Sequence, residues 1–127
     1  MTRAVDAPDI LVICTEWPAR ALLSAQLIEE GHNVVPAESW PPPRVYFRAP
    51  MKPRAVVVDL HRLPDPHLVI DELPALAPPS SIVVIGALAS VPVEDLRRRG
   101  FEVVARPAPV SDVAAAVTRV LARSTNL

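Results

Sequence analysis

Three runs of consecutive apolar, mostly β-branched residues stand out along the chain: Ile10 to Ile13, Ala55 to Val58 and Ile82 to Ile85. Apolar residues on successive rather than alternate positions mark strands covered on both faces, as in parallel sheets. The second run begins at Arg54 and stops at Asp59, whose charge requires water or a partner and therefore marks a polar opening at the strand's end. The third starts at Ser81. Two weaker runs complete a set of five strands: Asn33 to Val35, and a more mixed Phe101 to Ala105 that suits a sheet edge.

Helical spacing fills the intervals. Ala19, Leu22, Leu23, Ala25, Gln26 and Leu27 recur at three- and four-residue steps, with Pro18 placed for a first turn and Gly31 for a stop. Pro66 to Leu76 and Pro92 to Arg99 predict short helices. Asp112 to Arg123 predicts a longer one, with Ser111 as N-cap and Val113, Val117, Val120 and Leu121 on its inner side. The interval from Trp40 to Pro53 differs, because Pro41, Pro42, Pro43, Pro50 and Pro53 remove donors and obstruct a helical path. The second helix is expected to be short, irregular or missing, with Trp40, Tyr46 and Phe47 packing back onto the sheet.

Strands alternating with helices predict a three-layer, doubly wound α/β fold with a five-stranded parallel sheet in the order 2-1-3-4-5. The length of 127 residues suits one domain, with tails expected at 1–8 and 124–127. Thirteen Lys and Arg against 14 Asp and Glu leave a net charge of −1, which supplies no broad attraction for nucleic acid or anionic lipid. A single cysteine, Cys14, allows no internal disulfide, and the apolar runs are too short to span a bilayer. Cytoplasmic localisation is the expectation.

Ligands of such sheets bind beyond the carboxyl ends of the strands. Those ends read Cys14-Thr15-Glu16, Asp59-Leu60-His61, Gly86-Ala87 and Arg106-Pro107. On these residues the chain resembles the receiver domains of bacterial response regulators, from about Asp9 to Leu121. In that family an acidic pair ends the first strand, the phosphoacceptor aspartate the third, Thr or Ser the fourth and Lys-Pro the fifth. The resemblance places Asp59 at the acceptor position and keeps Pro107. Cys14 and Thr15 fall where the acidic pair belongs, Glu16 comes one position late, Gly86 replaces the hydroxyl residue and Arg106 the lysine.

Phosphoryl transfer to a carboxylate is catalysed chiefly by a divalent cation and fixed positive groups. Magnesium prefers hard oxygen ligands, so Asp59 alone or with Glu16 is expected to bind it weakly or not at all, and no other cofactor is implied. The resemblance therefore implies a pseudo-receiver, non-catalytic or weakly phosphorylatable, in two-component signalling or transcription control. A homodimer or protein partner is expected to meet the face formed by the fourth helix, fifth strand and fifth helix, at Val93, Leu96, Arg97, Val103, Val113 and Val117. Asp59 as a strand-end carboxylate held by Arg106 or Arg62 is the plainer reading.

Other chemistries compete. Cys14 and Arg20 have the spacing of the phosphate loop in cysteine-dependent phosphatases and arsenate reductases, where a thiolate attacks phosphorus and the arginine clamps its oxygens. The loop between them lacks glycine and contains Glu16 and Pro18, which opposes anion binding. Asp59, His61, Asp65 and His67 carry metal-ligand chemistry within nine positions, without a recognised spacing. A cleft at Thr15, Asp59, Gly86 and Arg106 holding a small ligand other than phosphate is a further possibility. Arg97, Arg98 and Arg99 read as a solvated, charge-favoured helix end.

Overall fold

The computed structural model describes residues 8–86 and 91–125. Five strands, β1 (Ile10–Ile13), β2 (Val34–Ala37), β3 (Ala55–Asp59), β4 (Ile82–Gly86) and β5 (Glu102–Ala105), form one parallel sheet ordered β2-β1-β3-β4-β5. The predicted order is the observed one. Among the described residues, four α-helices connect or follow them: α1 (Trp17–Glu29), α2 (Pro66–Glu72), α3 (Val93–Arg98) and α4 (Val110–Thr125).

Side chains alternate across the sheet and so build two cores. Leu11, Ile13, Val56, Val58, Ile82, Val84 and Val103 face one side, where Val69, Ile70 and Leu73 near α2 and Leu96 of α3 cover them. Ile10, Val12, Ala55, Val57, Val83 and Ile85 face the other, beneath Leu23 and Leu27 of α1 and Val113, Val117 and Val120 of α4. This double coverage explains the unbroken apolar runs of β1, β3 and β4.

Between β2 and β3 the prolines prevail. In place of an α-helix there is a single 3-10 turn, Arg44–Phe47, and Trp40, Tyr46 and Phe47 pack against the α2 and α3 side of the core. The Trp40 indole N–H donates to Glu72 Oε1 at 2.8 Å, and the Trp40 and Phe47 rings meet edge to face.

Several boundaries differ from expectation. The first bonds of α4 run from Asp112 and Val113 N–H to the Pro109 carbonyl, so the helix starts at Val110. Ser111 thus lies inside it rather than capping it. The helix continues to Thr125 and Pro8 is buried; the rest of the expected tails, 1–7 and 126–127, lies outside the described residues. The helical stretch after Pro66 ends at Glu72 and tightens into a 3-10 turn, Leu73–Ala75. In α1 only Leu23, Ser24 and Leu27 are buried; Ala19, Leu22 and Ala25, which share their helical spacing, are exposed. Gly31, at φ 97°, turns the chain out of α1 in a conformation that glycine adopts without penalty.

The open edge at β2 is closed by its sequence. Asn33 and Ala37 carbonyls accept from Ile10 and Cys14 N–H at 3.1 and 3.0 Å, so the alternation of a parallel ladder turns the backbone groups of Val34 and Pro36 outward. Pro36 brings no N–H to that edge.

Candidate functional site at the carboxyl ends of the strands

Asp59 is the last residue of β3 and is almost fully buried. Since Val58 faces the α2 and α3 core, alternation turns Asp59 to the opposite side, where Cys14 also lies. Among the described residues, three groups meet its carboxylate. Arg106, directly after β5, donates from Nη2 to Oδ2 in a short, charge-assisted hydrogen bond. The backbone N–H of His61 donates to Oδ1 at 3.0 Å. The Cys14 thiol lies 3.9 Å from Oδ2 and 3.7 Å from the Glu16 carbonyl. Of the two arginines proposed for Asp59, Arg106 is the partner, while Arg62 pairs with Glu16.

A cavity of about 160 Å³ adjoins this group. Cys14, Asp59 and Arg106 form its polar part, and Leu22, Leu23, Ile85, Val110 and Val113 are among its apolar walls. Burial is the main cause that pushes the Cys14 thiol above its ordinary pKa, with the Asp59 charge adding to it. The sulfur is therefore held as thiol.

Glu16 turns away from Asp59. Its Oε1 lies 3.0 Å from His61 Nε2 and 3.3 Å from Arg62 Nε on the loop after β3. Thr15 Oγ1 is buried and has no hydrogen-bond partner. An ideal Cβ on Gly86 meets Leu96 Cδ1 at 3.4 Å and Leu60 Cδ1 at 3.9 Å, so this position faces the α2 and α3 core.

These contacts do not suit a divalent cation. Both Asp59 oxygens are engaged, the sulfur beside them is a protonated soft donor, and Glu16 is committed to two side chains of its own. The Asp59, His61, Asp65 and His67 set fares no better, because among the described residues no three potential metal ligands come together. Asp65 instead caps α2, accepting from Leu68 N–H at 3.2 Å.

The phosphate-loop reading gains no support either. Arg20 Nη1 donates to the carbonyls of Cys14 and Thr15 at 2.9 and 3.2 Å, which places carbonyl oxygens where an anion cradle needs N–H groups. With Arg20 tied to the backbone and Cys14 held as thiol, neither residue is set for nucleophilic phosphate chemistry.

The expected interaction face requires correction. Leu96, Val103, Val113 and Val117 are core residues, buried by helical and strand periodicity against the sheet. Val93 packs partly onto the same core. Arg97, Arg98 and Arg99 pair with Glu94, Asp95 and Asp71 at 2.8 to 2.9 Å, so the basic run is locally neutralised. Sequence reasoning missed the Glu16 contacts with His61 and Arg62 and the Arg20 brace. Their local signal was slight, since charged residues in neighbouring loops do not announce which of them converge.

No family model matches the sequence, and no curated protein matches it. Solved structures do match. NtrX from Brucella abortus, in a complex with ATP, is 25% identical, with a TM-score of 0.73 over 94% of this chain and 28% of that one. The chain thus spans little more than a quarter of that protein's length. The separate receiver domain of NtrX from the same organism is 24% identical, with a TM-score of 0.70 over 90% of this chain and 98% of the domain. A CheY-like receiver domain protein from Methanospirillum hungatei is 16% identical, with a TM-score of 0.74 over 91% of this chain and 94% of that one. With its 2-1-3-4-5 sheet and an aspartate ending β3, the chain has the fold of CheY-like response-regulator receiver domains.

Proposed function

We propose that this chain is a receiver-like module of cytoplasmic two-component signalling that works through protein contact, without relying on phosphorylation of Asp59. The observation that supports this most is the engagement of Asp59 by Arg106 and by the His61 N–H, beside a thiol where hard oxygen ligands are needed. A carboxylate oxygen already paired with a guanidinium is a weaker nucleophile than a free one. Without a metal, the transferring phosphoryl group also lacks its main electrostatic support.

The test is incubation of the full chain with acetyl phosphate and magnesium, followed by intact-protein mass measurement. The expected result is an unchanged mass. A phosphate adduct that disappears in Asp59→Asn overturns the proposal. Among the described residues, no helix is long and apolar enough to cross a membrane.

A further inference from the structure

Small-molecule sites are concave, mostly apolar and carry a few convergent polar groups. The cavity beside Asp59 has this composition: aliphatic walls from Leu23, Ile85 and the start of α4 at Val110 and Val113, with Cys14, Asp59 and Arg106 as its polar part. Its volume of about 160 Å³ lies below the range of drug-sized ligands, roughly 300–1,000 Å³. It is close to the ~150 Å³ that admits benzene between aliphatic side chains. Ala19 and Leu22 are wall residues that are also exposed, so the cavity is reached from solvent.

The balance of donors and acceptors in the polar part selects the ligand. Both Asp59 oxygens already accept hydrogen bonds, and the neighbouring sulfur is a thiol. Arg106 gives an N–H to Asp59, and its other guanidinium donors meet no acceptor among the described residues. The polar part thus has donors to spare and its acceptors engaged, which suits an anion and not an ammonium group. A planar carboxylate matches the guanidinium fork with two parallel bonds. Phosphate would turn its remaining oxygens toward aliphatic walls, at a desolvation cost that an acid with an apolar body avoids.

We infer that this cavity binds a small monocarboxylic acid with a compact apolar body, the carboxylate on the Arg106 N–H groups that Asp59 does not use and the body among Leu23, Ile85 and Val113. Arg106 then bridges two carboxylates, that of Asp59 and that of the ligand. The inference rests on the reading of this chain as a module that works without phosphorylation of Asp59. An acid bound here acts on the same strand ends, with no phosphoryl transfer.

Titration of the isotope-labelled full chain with benzoate, cyclohexanecarboxylate and hexanoate, followed by amide NMR shifts at constant ionic strength, tests this. The expected result is saturable binding of at least one acid with a Kd of about 1 mM, as suits so small a ligand, and shifts centred on Leu23, Ile85 and Val113. The corresponding amide and amine are expected to bind at least about tenfold more weakly. The same loss is expected for the acid in Arg106→Gln and in Ala108→Phe, which fills the cavity from a half-buried wall position. No saturation by any of the three acids up to about 20 mM overturns the inference. An amide that binds as tightly as its acid overturns it too, in the unaltered chain and so whether or not either variant folds. Acid binding unchanged in a folded Ala108→Phe also overturns it, placing the site elsewhere. A phosphate adduct on Asp59 in the acetyl phosphate experiment overturns the proposed function, whereas failure of the acids to bind overturns this inference alone.

Discussion

Arg106 reaches from the residue after β5 across β4 to the carboxylate of Asp59 at the end of β3. The pair joins strands that are not neighbours in the sheet. Asp59 is nearly buried, whereas the Arg106 side chain is 37% exposed, so the two ends of the contact are unequal. That inequality sets the first expected outcome.

Arg106→Ala strands a carboxylate that keeps only the His61 N–H and the weak Cys14 thiol contact, whereas Asp59→Asn leaves a guanidinium free to turn to water. Removing one partner of a fully buried pair costs about 3–5 kcal/mol. Partial solvent screening lowers the expectation to about 1–3 kcal/mol for Arg106→Ala, with a smaller loss for Asp59→Asn. Urea denaturation of both variants checks the order. Equal losses contradict the proposed asymmetry.

A missing ligand set can be partly restored. Thr15→Asp adds a hard oxygen donor at a position where the resemblance expects an acidic residue and, without a cation, puts a charge in place of a buried, unpartnered hydroxyl, which destabilises the fold. Magnesium is expected to raise the melting temperature of Thr15→Asp while leaving that of the wild type unchanged, since a ligand stabilises only what it binds. Differential scanning calorimetry with and without magnesium reads this directly. A comparable rise in the wild type means that Asp59 already holds the ion.

The Cys14 thiol gives a pH dependence of definite sign. Its pKa is raised in the fold from an ordinary 9.0, so on raising the pH the unfolded chain loses this proton first. Above about pH 9, the unfolded state binds fewer protons here and stability falls until the folded pKa is passed. Below that window the contribution is fully present. Cys14→Ser is expected to flatten this part of the curve in urea titrations between neutral and alkaline pH. An unchanged slope assigns the effect to other groups.

Leu96 and Val117 separate packing from recognition. They are 1% and 0% exposed, so Leu96→Ala is expected to cost about 2–5 kcal/mol through lost burial and the cavity left behind. Val117→Asp is expected to unfold the protein by burying an unpaired charge. Chemical denaturation and far-UV circular dichroism decide the matter. Near-native stability in Val117→Asp contradicts the burial assigned to α4.

The sheet was readable because its evidence is local. Each apolar run is long enough for one strand, and the prolines from Pro41 to Pro53 announced the missing helix before β3. Facing was less readable. Leu22 and Ala25 share helical spacing with Leu23 and Leu27, and in a helix apolar on both sides, periodicity does not distinguish inner from outer. Val113 and Val117 are no such case: periodicity puts them on the inner side of the last helix, and the sheet beneath them agrees with that reading rather than with the partner face. At the site, the position of Asp59 followed from strand-end logic and Arg106 was one of two arginines expected beside it, but the choice of Arg106 over Arg62 and the roles of Arg20 and Glu16 depend on loop paths that residue types leave open.

Pro36 bears on how copies of this chain are kept from joining edge to edge. A naked sheet margin invites accretion of further chains rung by rung, the route to open-ended filaments. By withholding a donor from that margin, Pro36 interrupts such a ladder just after the outward groups of Val34. Contact between copies through this edge is thereby disfavoured relative to contact through side-chain surfaces, which symmetry can close at a finite number of subunits.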